Sequence, residues 1–301
     1  MIELAQEINR LKQERNAVIL AHNYQLDEVQ AVADYVGDSF YLSKIAASVA
    51  CEVIVFCGVF FMAETAKMLS PEKTVLLPEA DAGCPLADTI DAEAVRVLKR
   101  QHPGVPVVCY INSSAEVKAE SDVCCTSANA VQVAGLLPGN KVIFIPDSNL
   151  GNYVAKQLPD KEFILWEGSC VTHAKVQVAD VLKAREKYPA AKVLVHPECS
   201  PEVVSLADFA GSTSEIIRYA EEMPDRQYLI GTEAGVLCRL RASQQHKEFL
   251  LLHAGLFCPN MKKTRLESIH RALLANQCVM KLDSTVARKA TLTLRKMLEM
   301  V

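Results

Sequence analysis

The chain lacks any apolar run near the roughly 20 residues needed to cross a bilayer. Its longest run, residues 53–62, is short and contains a glycine. A transmembrane helix is therefore not expected. The first 15 residues form a charged helical pattern with no apolar segment, which argues against a secretory signal and for a cytoplasmic location. No charge of one sign dominates: 32 basic residues stand against 36 acidic ones, a formal net charge of −4. Such a balance points to neither a nucleic acid nor a membrane surface as partner. Cysteine pairs of the C-x-x-C kind are missing, so no zinc ribbon or ferredoxin-type site is encoded.

Cysteine itself is plentiful. There are 11 in 301 residues, an odd number, and a disulfide framework is not expected in a reducing compartment. Cys51, Cys57, Cys109, Cys124, Cys125, Cys238 and Cys278 lie in apolar or helical context and read as small buried hydrophobes. Cys84, Cys170 and Cys258 differ. They stand 86 and 88 residues apart, and each follows a glycine closely (Gly83, Gly168, Gly255). Glycine lets backbone approach a bulky group. Two readings stay open at this point. Three thiolates could converge on a metal or an iron–sulfur cluster, or three ordinary buried cysteines could share an accidental spacing. Cys199 is a rival ligand, although it breaks the repeat.

The same interval recurs in polar motifs. His22-Asn23-Tyr24, Tyr110-Ile111-Asn112 and His196-Pro197-Glu198 each follow an apolar run. Gly37-Asp38-Ser39, Thr126-Ser127 and Gly211-Ser212-Thr213 follow at nearly equal offsets. One α/β unit used three times explains this. Strands are expected at 17–21, 53–57 and 74–77, at 105–111, 141–145 and 162–166, and at 192–195 and 227–230, with helices between them. The expected fold is α/β: three similar small parallel-sheet α/β/α domains around a pseudo-threefold axis with a central cavity. Their bounds are 1–86, 87–172 and 173–264, with C-terminal helices in 265–301 docked on the first.

Ligands of parallel α/β units bind beyond the carboxyl ends of the strands. There, His22, Tyr24, Tyr110, Asn112, His196 and Glu198 can move protons and donate or accept hydrogen bonds. Ser39, Thr126, Ser127, Ser212 and Thr213 fall at expected helix N-termini, whose amides attract carboxylates and phosphates. Plain capping explains any one of them, and Ser212 with Glu215 forms a capping-box pattern. Five such hydroxyls in three equivalent places suggest a small substrate carrying two or more negative charges. The basic stretch 260–265 reads as a solvated helix start or as a phosphate contact.

These motifs resemble the quinolinate synthase family. The matching segments are Ala21-His22-Asn23-Tyr24-Gln25, Gly37-Asp38-Ser39, Asp81-Ala82-Gly83-Cys84, Tyr110-Ile111-Asn112-Ser113-Ser114 and Thr126-Ser127-Ala128-Asn129-Ala130. Pro146-Asp147-Ser148-Asn149-Leu150-Gly151, Trp166-Glu167-Gly168-Ser169-Cys170-Val171-Thr172-His173, His196-Pro197-Glu198, Gly211-Ser212-Thr213-Ser214 and Cys258-Pro259-Asn260-Met261 continue the match to the end of the chain. The resemblance implies condensation of iminoaspartate with dihydroxyacetone phosphate to quinolinate, phosphate and water, for de novo NAD synthesis. L-aspartate oxidase or aspartate dehydrogenase would supply the imine. It also implies a [4Fe–4S] cluster on Cys84, Cys170 and Cys258, and excludes Cys199 as a ligand. By the same resemblance His22, Tyr24, Ser39, Tyr110, Asn112, Ser127, His196, Glu198, Ser212, Thr213 and Met261 line the active site. Glu198 and His196 become the base and acid candidates, with Tyr24 and His22 beside them. Some family members carry two further cysteines before the last ligand; here those positions are Leu252 and Gly255, so control through that disulfide is not expected. Phe40 stands where leucine is usual, a conservative change. Two alternatives are a hydro-lyase of the aconitase type, which needs the same ligands, and a sugar-binding or regulatory α/β protein with merely buried cysteines.

Overall fold

The computed structural model describes residues 2–300. Among these residues, twelve strands form three four-stranded sheets, all parallel. The first sheet holds β1 (Ala17–His22), β2 (Tyr35–Gly37), β3 (Val53–Cys57) and β4 (Thr74–Leu76). The second holds β5 (Val107–Tyr110), β6 (Val123–Cys125), β7 (Lys141–Ile145) and β8 (Glu162–Leu165). The third holds β9 (Lys192–Val195), β10 (Phe209–Ala210), β11 (Gln227–Gly231) and β12 (Glu248–Leu251). Each sheet runs in the same order: second strand, first, third, fourth. The fold is thus α/β with three similar units. The inner strands are nearly continuous apolar runs because helices cover both faces; Ile19, Leu20 and Ala21 in β1, and 142–145 in β7, are completely buried.

The short strands β2, β6 and β10 were not among the expected ones. Two or three residues are too few to show a period. β12 was also missed, being a four-residue run that a helix could account for equally well. An aspartate ahead of each short strand ties the unit together. Asp34 accepts the Ile19 N–H, Asp122 that of Val107 and Asp208 that of Val193, each at 2.8 Å. Each also pairs with a basic residue of the helix before the central strand: Lys12 at 2.6 Å, Lys99 at 3.2 Å and Arg185 at 2.9 Å.

One buried apolar cluster runs through the first two units, from Leu20 and Phe56 to Val108, Phe144 and Leu294. The third unit has two clusters of its own. Val193 and Leu229 belong to one, Leu194 and Ile230 to the other, as expected for residues alternating between the two faces of a sheet. The helix Leu266–Ala275 packs on Ile2–Glu14 and β3. The helix Ser284–Glu299 corrects the expected docking on the first unit. It lies chiefly on Ala115–Glu120 and β6 of the second unit, reaching Phe60–Leu69 of the first. Cys278 is another correction: it is exposed, with φ 57°, in the link between these two helices. Cys51 and Cys238 are only half-buried.

Candidate active site

The strand order reverses between the first and third strand of each sheet, and at such a switch point the strand ends diverge and leave a crevice. Register then decides what meets there. His22 lies opposite Gly37, Tyr110 opposite Cys125 and Val195 opposite Ala210. Each central strand therefore delivers its polar residues beside the helix start that follows the short strand. The three crevices merge into one cavity with about 770 Å³ of space free of protein atoms, partly open to solvent. Cys84, Cys170 and Cys258 line it, with His22, Tyr24, Ser39, Tyr110, Asn112, Thr126, Ser127, His196, Glu198, Thr213 and Met261. Ser212 is the exception. Its hydroxyl is taken up in the expected capping box with Glu215, and it lines an adjoining outer cleft that shares Asp38 and Phe40 with the cavity.

A continuous chain of side chains crosses the cavity. The Tyr24 hydroxyl lies 2.8 Å from both the Thr213 and Thr232 hydroxyls. Thr232 is 3.0 Å from His173 Nε2, and His173 Nδ1 is 2.9 Å from Glu198 Oε2. Glu198 continues to His196 Nδ1 at 3.3 Å, and His196 Nε2 to the Ser127 hydroxyl at 3.2 Å. Asn112 donates to Glu198 Oε1 at 3.4 Å, while its own buried Oδ1 has no partner.

Backbone geometry assigns two tautomers. His22 Nδ1 accepts the Tyr24 N–H at 3.1 Å, and His196 Nδ1 accepts the Glu198 N–H at 3.2 Å. The proton of each neutral ring therefore sits on Nε2. Burial lowers both imidazoles to about 3, so they are neutral near pH 7. Burial would raise the Glu198 carboxyl, but His173 and His196 together with the Tyr110 hydroxyl outweigh it and hold the group below the ordinary carboxylate range. The ionised carboxylate thus receives its hydrogen bonds from His173 Nδ1 and the Asn112 amide, while the unprotonated Nδ1 of His196 stands beside it, an arrangement able to accept one proton.

Sequence reasoning missed His173, Thr232 and Glu233. His173 is three residues past Cys170, in a motif that drew attention only for its cysteine. Thr232 and Glu233 directly follow β11, and Asp147 stands two residues past β7. Asp147 is fully buried, and burial pushes its carboxyl well above the usual range. The basic stretch also needs correcting. Lys262 is neither solvated nor free for a phosphate: it is buried and pairs with Glu233 at 3.0 Å. Lys263 pairs with Asp81 at 2.7 Å.

The donor set fits an iron–sulfur cluster. Three soft thiols come from three units, and apart from Gly83's own chain neighbours no atom lies within 4 Å of where a Cβ on Gly83, beside Cys84, would sit. Close backbone packing, not a cofactor, explains Gly168, where a Cβ would collide with the Pro146 carbonyl oxygen. Burial pushes the Cys84 thiol up to about 12 and raises those of Cys170 and Cys258, so loading would release protons. Cys199 is outside the cavity, packed in the third unit's apolar cluster with its sulfur 3.5 Å from the Gly231 carbonyl oxygen. Cys170, His173 and Glu198 form a tighter group, with ligand atoms all within 4.8 Å of one another.

Comparison with known proteins agrees with this geometry. The family model described as "Quinolinate synthetase A protein" matches residues 6–299. The chain is 55% identical over 298 residues to the quinolinate synthase of Caldicellulosiruptor saccharolyticus, covering 99% of this chain and 98% of that one. It is 54% identical to that of Alkaliphilus metalliredigens, over 97% of both chains, and 50% identical to that of Thermodesulfovibrio yellowstonii, over 98% of both. A match of this extent and level shows that the chain belongs to the quinolinate synthetase A protein family.

Proposed function

We propose that the chain makes quinolinate from iminoaspartate and dihydroxyacetone phosphate, releasing phosphate and water, with a [4Fe–4S] cluster on Cys84, Cys170 and Cys258. The observation that carries this reading is the cavity wall, where three free thiols stand with a buried carboxylate and two neutral imidazoles. The names of the relatives support the product. The reaction is a transfer that forms a carbon–carbon bond and ends in dehydration, in the cytoplasm, serving NAD synthesis. L-aspartate oxidase or aspartate dehydrogenase would supply the imine.

When bound, such a cluster supplies a Lewis acid through the iron that has no thiolate. The chain's own groups do the rest. Ser39 and Thr213 open helices, Ser127 lies in the turn two residues before Asn129, the N-cap of the helix Ala130–Leu136, and all three present hydroxyls to carboxylate or phosphate oxygens. The Nε2–H groups of His22 and His196 can donate to the same oxygens while staying neutral. Glu198 takes a proton from carbon or nitrogen and passes it to His196 Nδ1, 3.3 Å away, as the ring gives up its Nε2 proton to the substrate and stays neutral, and the Tyr24 hydroxyl donates to the triose oxygen. Tyr110 and Asn112 orient the substrate, and Met261 closes the wall, its sulfur 3.6 Å from the Gln25 amide nitrogen. Ser212 acts through its cap on the helix that presents Thr213.

The close grouping of Cys170, His173 and Glu198 favours one second reading, a single divalent ion held by those three. Anaerobic purification followed by iron and sulfide analysis separates the two. About four irons and four sulfides per chain are expected for the cluster, and one metal ion without sulfide would favour the second reading. Iron-loaded protein given both substrates is then expected to yield quinolinate by mass spectrometry; a fully loaded protein that yields none would overturn the proposal.

The anion contacts can be tested separately. Ser127→Ala is expected to weaken binding of a four-carbon dicarboxylate by about 1.5–3 kcal/mol, the usual worth of a hydrogen bond to a charged group. Calorimetric titration reads this directly. An unchanged affinity would remove Ser127 from the anion site.

A further inference from the structure

The segment Thr232-Glu233-Ala234-Gly235 leaves β11, and its Glu233 lines the cavity. Glu233 is completely buried and Lys262 nearly so. Glu233 Oε2 accepts from Lys262 Nζ at 3.0 Å and from the Gly235 N–H at 2.7 Å. Its other oxygen, Oε1, accepts the N–H of Cys258 at 3.1 Å. Lys262 also donates to the carbonyl of Tyr24, and at 3.4 Å to that of Gln25. Gln30 laces the same strands of chain, donating to the carbonyls of Asn23, Gln25 and Gly235 at 3.0, 3.0 and 3.1 Å. Gly235 passes so close that a Cβ there would lie 2.6 Å from the Asn23 carbonyl oxygen.

One carboxylate therefore grips the backbone of Cys258. One ammonium carries that grip to the backbone of the segment whose side chains His22 and Tyr24 line the cavity. Burying two charges is costly, and well-packed apolar residues usually serve stability as well or better. Stability alone does not account for the pair. Its directional contacts do something apolar residues cannot: they fix the Cys258 loop against the first unit's strand end.

We propose that Glu233 and Lys262 are a positioning pair that holds Cys258 in register with the His22–Tyr24 segment. The consequence for the cluster rests on the reading of Cys258 as a ligand; the positioning itself does not. The test is the alkylation rate of each cysteine in metal-free protein, read peptide by peptide by mass spectrometry. Lys262→Met and the double change Glu233→Gln with Lys262→Met are the variants, the second leaving no unpaired buried charge. In both, Cys258 is expected to react at least about tenfold faster, the effect of losing one charge-assisted hydrogen bond on a local opening. Cys84 and Cys170 keep nearly parental rates. Loss of a nearby positive charge disfavours thiolate formation, so electrostatics alone cannot produce the acceleration in Lys262→Met.

In loaded protein, a chelator is expected to strip iron from both variants at least about tenfold faster than from the parent. A parental Cys258 rate in the double variant, or equal acceleration of all three cysteines, would overturn the positioning role. Faster Cys258 alkylation together with full iron loading in Cys258→Ala would keep the pair and remove the ligand assignment instead.

Discussion

Cys170→Ala is expected to lose both its iron and its quinolinate synthesis, while Cys199→Ala keeps both near parental levels. The two sulfurs differ in what surrounds them. Cys170 faces the cavity with His173 Nδ1 3.3 Å away. Cys199 is embedded among apolar side chains of the third unit, where exchange for alanine removes one atom from a core. A modest stability loss, on the order of 1 kcal/mol, is all that this should cost. Cys84→Ala and Cys258→Ala complete the series, because a single ion on Cys170, His173 and Glu198 needs neither of them. Loss of iron in all three variants, measured with labile sulfide and the visible spectrum under anaerobic conditions, supports the cluster. Full loading of Cys170→Ala sinks the assignment.

The second large effect is expected at Glu198. Glutamine keeps the size, the hydrogen-bond reach and much of the polarity of the side chain but cannot take up a proton. Asn112 and His173 hold the carboxylate in place, and His196 lies beside it. The variant should therefore fold normally and keep the parental cluster spectrum. Turnover should fall by about 100-fold or more, the usual worth of a general base. A drop in kcat with little change in KM would place the loss in the proton-transfer steps. Near-parental turnover would remove Glu198 from the mechanism and leave His196 or Tyr24 to carry it.

The features legible in sequence were local ones repeated at a fixed interval. Each polar strand end is coded by a short run followed by its own side chains, so His22, Tyr110 and His196 could be found without knowing what they face. The three cysteines were legible for the same reason. Lys262 was not. It lies in a basic run, and nothing nearby reveals a carboxylate 29 residues earlier that draws its ammonium out of water. The link between Tyr24 and Thr232 spans 208 residues, and only the packing of the first unit against the third creates it. The short strands left no periodic signal, yet the aspartates before them did repeat: Ala33-Asp34-Tyr35, Ser121-Asp122-Val123 and Ala207-Asp208-Phe209. Read together, these triplets would have located β2, β6 and β10, since an acidic residue at one offset in three units calls for one structural role.

The division of the apolar core gives the molecule a weak seam. None of β9–β12 contributes a side chain to the cluster shared by the first two units. Contacts such as Gln30 to Gly235, Lys262 to Glu233 and Tyr24 to Thr232, which reach the segment leaving β11, are polar. Water can replace polar contacts more cheaply than it can enter an apolar core. The first and second sheets should therefore exchange their amide protons as one cooperative body and the third as another. The cavity lies across the boundary between them, so any ligand that fills it grips both bodies and slows exchange on both sides at once.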